Sequence, residues 1–129
     1  MKFGYTIIYV PDPEESLEFF EKAFGLSRRF LSEASDYGEL NTGETTLAFA
    51  SHSLGEQNFS SGYIPQDAIK PLGIEIAFIT EDVKTAHAKA IDAGAIELAR
   101  PKEKPWGQTV SYVLCPDGTL VELCSPVAN

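Results

Sequence analysis

At 129 residues, with 43% hydrophobic and 22% charged side chains, the chain has the length and composition of one globular domain, 1–129. Its net charge of −9 argues against nucleic acid, whose phosphates need clustered Lys and Arg, and here only Arg28-Arg29 and Lys102 with Lys104 lie close together. No apolar run approaches the roughly 20 residues of a membrane span, and Met1-Lys2-Phe3-Gly4-Tyr5 lacks the pattern of a secretory leader, so a cytoplasmic protein is expected.

Residues 3–10 are β-branched and aromatic and predict a strand. Thr6, Ile8 and Val10 share one face of it, and Tyr5, Ile7 and Tyr9 the other. Asp12-Pro13-Glu14-Glu15 opens a helix: Asp12 caps it, Pro13 suits its first position, and Glu15 completes a capping box. Leu17, Phe20 and Phe24 recur at helical spacing, and Gly25 ends the run. Three shorter strands are expected at 26–31, 37–40 and 45–50, the last two separated by the turn Asn41-Thr42-Gly43-Glu44. On the third of these, Thr46, Ala48 and Ala50 share a face, leaving room for a ligand or for large neighbours such as Tyr5 or Tyr9. Residues 52–72 are polar and read as a linker, a lid or a plain connector; His52 begins it and reads as a surface residue.

A second unit then repeats the first at an offset of about 69 residues. A strand at 73–80 sets Ile74, Ile76 and Phe78 against a helix and leaves Glu75, Ala77 and Ile79 on the opposite face. The helix starts at Glu81 or Asp82, buries Val83, Ala86, Ala90 and Ala93, and ends at Gly94; His87 is expected on its solvent side. Strands follow at 96–99, 109–115 and 119–124. On the last, Leu120, Glu122 and Cys124 share a face, with Val121 and Leu123 behind. Module one thus spans about 1–51 and module two about 73–129, each βαβββ. Pro116-Asp117-Gly118-Thr119 reads as the turn of a hairpin that sets Cys115 opposite Leu120 and Cys124 opposite Ser111, too far out of register for a disulfide. Two free thiols are expected, with nothing to activate either.

Two carboxylates, Glu75 and Glu122, stand among apolar neighbours on strands, which is costly unless they are paired or used. They read as two ligands of a divalent metal site, as a metal-free pair that recognises a cationic or hydroxylated ligand, or as structural residues partnered by groups such as Ser111 or Tyr5. Nucleophile elbows, Gly-rich phosphate loops and zinc-type Cys/His spacings are absent from the sequence.

The chain resembles the vicinal oxygen chelate superfamily of glyoxalase I, extradiol dioxygenases, fosfomycin-resistance enzymes and bleomycin-resistance proteins. The resemblance rests on Tyr9-Val10-Pro11-Asp12 through Ser16-Leu17-Glu18-Phe19-Phe20 and Gly25-Leu26 in the first module. In the second it rests on Ala77-Phe78-Ile79-Thr80-Glu81-Asp82-Val83, Ala93-Gly94-Ala95, and Trp106-Gly107 through Pro116-Asp117-Gly118-Thr119-Leu120-Val121-Glu122. It implies an α+β fold of two βαβββ modules whose sheets curl around a cavity, in a homodimer. The superfamily's metal-ligand positions fall on Tyr5, Ala48, Glu75 and Glu122, of which only the two Glu would bind a metal well. Bleomycin-resistance-like members carry a Trp-Gly such as Trp106-Gly107 and line their site with aromatic residues; a Trp106 packed under its own loop is the alternative. The reading favoured is metal-independent binding of a small organic molecule, an antibiotic among the candidates, in the inter-module or dimer cavity. Tyr5, Tyr9, Ala48, Glu75, Trp106, Ser111 and Glu122 are the ligand-binding candidates; no cofactor is favoured and no catalytic residue is assigned. The alternative is a metal-dependent lyase, isomerase or dioxygenase with Glu75 and Glu122 as ligands of a divalent ion.

Overall fold

The computed structural model describes residues 1–127, and its contacts divide the chain into two units, Met1–Pro65 and a second from Gln66 on. In the first, β1 (Tyr5–Val10) leads into α1 (Pro13–Phe24), followed by β2 (Arg28–Leu31), β3 (Tyr37–Leu40), β4 (Thr46–Ser51) and α2 (His52–Asn58). In the second, β5 (Ile76–Ile79) leads into α3 (Val83–Ala93), followed by β6 (Ile96–Glu103), β7 (Thr109–Leu114) and β8 (Leu120–Cys124). The sheets have equivalent orders, β1-β4-β3-β2 and β5-β8-β7-β6. In each, the last strand returns to pair in parallel with the first, and the other pairings are antiparallel. The fold is α+β, built from two four-stranded sheets of one topology.

The helices form where their caps place them. Asp12 accepts from the amides of Glu14 and Glu15, and Gly25 closes α1 in the left-handed conformation at φ 68°. Leu17 and Phe20 of α1 are fully buried, as are Val10, Leu40 and Phe49 of the strands. Phe20 meets Phe49 with ring centroids 4.9 Å apart, which fixes α1 over the middle of its sheet. Asp82 caps α3 through the Thr85 amide, and Val121 and Leu123 are buried in the second unit, as alternation on β8 requires.

Several boundaries differ from the sequence reading. Residues 52–58 are a helix rather than linker, because the Ser51 hydroxyl accepts from the Leu54 amide and starts a turn. The segment after it is divided between the units: Tyr63 packs on Tyr9, whereas Gln66 donates to the Asp117 carbonyl and the Thr119 hydroxyl. Strand β6 runs on to Glu103 through Pro101, which an edge strand tolerates, with irregular register between Glu97 and Lys102. His87 is buried, 5% exposed, rather than solvent-facing. It replaces Ala86 on a stripe with Val83 and Ala90, and two hydrogen bonds satisfy its ring. The 116–118 turn is one residue shorter than expected: Gly118, at φ 92°, brings the Cys115 amide onto the Thr119 carbonyl. Leu114 therefore pairs with Leu120, and Val110 with Cys124, in place of Cys115 with Leu120 and Ser111 with Cys124. Both cysteines are free and buried.

Candidate functional site

The second sheet brings both predicted carboxylates together on the face away from α3. Register aligns Ala77 of β5, Glu122 of β8 and Tyr112 of β7 in one row, and Glu75 lies two residues before Ala77. The Tyr112 hydroxyl donates to Glu122 Oε1 over 3.1 Å. Partial burial, and then a hydrogen bond and like charge from Glu122, hold the Glu75 carboxyl above its ordinary range. The same surroundings push Tyr112 up to about 12, through burial first and then its bond to Glu122 and the charge there. Burial and Glu122 also push the Cys124 thiol up. Around Glu122, then, sit a second carboxyl, a phenol and a thiol, a group that can accept from and donate to a bound molecule. Ala77 and Ile79 are exposed on the same face.

Ser111 does not join them. It pairs with Leu123, a helix-facing residue, and is fully buried. Its Oγ lies 2.9 Å from His87 Nδ1, and His87 Nε2 lies 2.8 Å from Glu97 Oε2. The carboxylate accepts, so Nε2 carries the proton that faces Glu97, and Nδ1 faces the Ser111 hydroxyl. Ser111 is thus a structural partner of α3, a correction that follows from its side of the pleat. Trp106 stands in the loop after β6, 62% exposed, its Nε1 donating to Gln108 Oε1; it is not packed under its own loop.

In the first sheet, the face away from α1 carries Tyr5, Ile7 and Tyr9 of β1 beside Thr46, Ala48 and Ala50 of β4. Sequence reasoning missed what stands beyond them. Glu39 of β3 pairs with Ala48, is 7% exposed, and accepts a 2.6 Å hydrogen bond at Oε2 from Tyr37. Arg29 Nη1 lies 3.6 Å from Glu39 Oε1. Burial, and then the bond to Glu39, push the Tyr37 phenol well above its ordinary value. Alternation along Tyr37-Gly38-Glu39-Leu40 sets Glu39 opposite the buried Leu40, and that was the available signal.

The donors do not supply what a resident divalent ion needs. Tyr5 offers a phenol, Ala48 a methyl, and the Glu39 beside Ala48 is engaged by Tyr37 and Arg29. Glu75 and Glu122 supply only two carboxyls, and no group of three or more His, Cys, Asp or Glu among the described residues could hold a metal ion. No helix among the described residues is long and apolar enough to cross a membrane.

A family model described as a glyoxalase-like domain matches residues 3–128. The structure is similar to that of a glyoxalase-related enzyme from Fulvimarina pelagi (TM-score 0.83, 18% identity, 98% of this chain and 88% of that one). It is similar also to a glyoxalase/bleomycin resistance protein/dioxygenase family enzyme from Burkholderia phytofirmans PsJN (TM-score 0.82, 19% identity, 99% and 100%). A third likeness is to TioX from Micromonospora sp. ML1 (TM-score 0.72, 16% identity, 97% and 98%). At these identities the likeness shows the fold alone. No curated protein matches the chain significantly.

Proposed function

This chain belongs to the glyoxalase-like domain family, and from that premise we propose that it binds a small organic molecule without a metal. The observation that carries the reading is the group on the second sheet: Glu75 lies beside Glu122, and burial, then the hydrogen bond and charge of Glu122, raise its pKa, while Tyr112 donates to Glu122. Such a group reads hydrogen-bond donors on a ligand, hydroxyls or amines, because its free lone pairs are carboxylate oxygens. The net charge of −9 favours a cationic ligand over an anionic one. Exposed Ala77 and Ile79 give the ligand an apolar surface beside the polar group. Trp106 is free to stack on a planar part of it. An antibiotic with a flat, hydroxylated or aminated skeleton fits this chemistry. A homodimer in the cytoplasm is the form the resemblance implies.

The test is a thermal-shift screen of hydroxylated and aminated aromatic compounds in the presence of EDTA, with hits titrated calorimetrically. Binding is expected to survive EDTA and to weaken about tenfold in Glu122→Gln, the scale of one charge-assisted hydrogen bond. A requirement for Mg²⁺, Mn²⁺, Fe²⁺, Ni²⁺ or Zn²⁺, or near-stoichiometric metal lost on Glu75→Gln, would overturn the proposal in favour of a metal-dependent enzyme.

A further inference from the structure

Tyr9, nominated above as a wall of the binding face, already has an aromatic ring on it. The chain after β4 forms α2 and doubles back so that Tyr63 stacks on Tyr9, ring centroids 4.8 Å apart and planes inclined by 27°. The Tyr63 hydroxyl lies 2.6 Å from His52 Nδ1. Asn58 donates to the Tyr9 hydroxyl over 2.9 Å and fixes the ring beneath. The floor of this seat is Gly55, in the middle of α2. A Cβ there would stand 2.7 Å from the Tyr63 oxygen, 2.9 Å from its Cε1 and 3.0 Å from Tyr9 Cδ1. Glycine weakens a helix relative to alanine, and here it stands where a side chain would close on Tyr63 and Tyr9.

The four parts define the occupant chemically: a flat ring to stack on Tyr9, thin enough to lie over Gly55, with a hydroxyl one ring-length away for His52. That is a phenol. Tyr63 meets the description, and it arrives on residues 59–65, a segment without regular secondary structure. We infer that Tyr63 is a tethered placeholder in a phenol-binding seat, and that a phenolic ligand takes the seat by displacing it. The inference rests on the small-molecule reading above and deepens it, because it names the ligand class and the segment that must move. It concerns the first unit alone, so it is separable from the role given to Glu75 and Glu122.

The test compares wild type, Tyr63→Ala and Tyr63→Phe, each titrated with p-cresol and with 4-methylanisole, which has the ring but no hydroxyl hydrogen. Backbone amide shifts are followed by NMR. Tyr63→Ala is expected to bind p-cresol with shifts centred on Tyr9, His52 and Gly55, at least tenfold more tightly than wild type, where the tethered ring competes at high effective concentration. 4-Methylanisole is expected to bind about fivefold more weakly than p-cresol, the scale of one hydrogen bond. Tyr63→Phe keeps the stack and loses the bond to His52, so it is expected to fall between the two, and it serves if Tyr63→Ala does not fold. Equal affinity for the two probes, shifts elsewhere, or wild type binding as tightly as both variants would overturn the inference. Failure of the Glu122→Gln test would leave this outcome unchanged.

Discussion

Replacing Glu75 by Gln should make the protein more stable while weakening its ligand binding. Two neighbouring carboxyls repel when both are charged, and unit charges about 4 Å apart in a water-like surrounding cost about 1 kcal/mol. Glu75 is exposed, so screening reduces this to about 0.5 kcal/mol. The amide introduced by Glu75→Gln can donate to Glu122, and one neutral donor adds about 0.5 kcal/mol. The expected gain at pH 7 is about 0.5 to 1 kcal/mol, or about 2 to 4 °C in Tm for a chain of this size. The pH dependence gives the sign. A carboxyl whose pKa is raised on folding contributes its full stability below the unfolded pKa and loses it as pH rises through the folded value. Wild type therefore loses stability as pH rises above the ordinary Glu range, and Glu75→Gln does not. The advantage should be larger at pH 7 than at about pH 3.5, where Glu75 is protonated in both states. Urea denaturation at the two pH values measures it. Glu103→Gln, on exposed β6, makes the same change in net charge and serves as control. A variant no more stable than that control at pH 7, or an advantage that persists undiminished at pH 3.5, would refute the like-charge account.

Gly118→Ala should cost about 2 kcal/mol or more, because φ is 92° and the new Cβ would stand 2.6 Å from the Asp67 carbonyl oxygen. Gly43→Ala, at φ 89° with nothing within 4 Å, should cost only the backbone strain, about 1 kcal/mol; equal losses in denaturant titrations would mean that residues 66–67 do not pack on the turn. Burial pushes the Cys115 thiol well up, and burial with Glu122 raises Cys124, so neither should react with a disulfide reagent at pH 8 until the chain unfolds. Rapid stoichiometric labelling of the native protein would contradict their placement. Tyr37→Phe should cost about 1.5 to 3 kcal/mol, since it takes a 2.6 Å hydrogen bond from a buried carboxylate. Arg29→Gln should cost under about 1 kcal/mol, because its contact is 3.6 Å and Arg29 is 48% exposed; the reverse order by chemical denaturation would show that Glu39 is held by charge rather than by the phenol.

Much of the fold was legible because local rules acted alone. Asp12 and Asp82 cap the helices the spacing predicted, and alternation on β8 sorted Glu122 from its buried neighbours Val121 and Leu123, whereas Ile74, expected against the helix, is exposed. What escaped depended on partners far along the chain. Helix α2 has little apolar periodicity; its buried residue is Gly55, and the surface it meets is Tyr9 and Tyr63. His87 lies four residues after Val83 and three before Ala90, a legible stripe, but a polar residue there is acceptable only with Ser111 and Glu97 in reach. Glu39 belongs beside Ala48 only through a β3–β4 register set by the turn between them. The placement of Ser111 was the converse case: alternation on β7 opposes it to Tyr112, so its face follows once Tyr112 is known to pair with Glu122.

The two sheets show why one carboxylate reads as structural and another as functional. Corresponding rows run Ile7, Ala48, Glu39 in the first sheet and Ala77, Glu122, Tyr112 in the second. The acid stands on the returning strand in the second sheet and one strand over in the first, with Ala48 in the vacated place. Glu39 is neutralised by fixed groups, a phenol at 2.6 Å and a guanidinium at 3.6 Å. A ligand approaching it would have to displace partners that a buried charge cannot give up cheaply. Glu122 accepts from Tyr112 and has a second carboxyl, Glu75, beside it, whose pKa burial and then Glu122 raise. A ligand's donor would relieve that like charge, where at Glu39 it would have to displace a phenol and a guanidinium. The duplicated fold therefore supplies the same row twice and sets a like-charged neighbour beside the acid in the second.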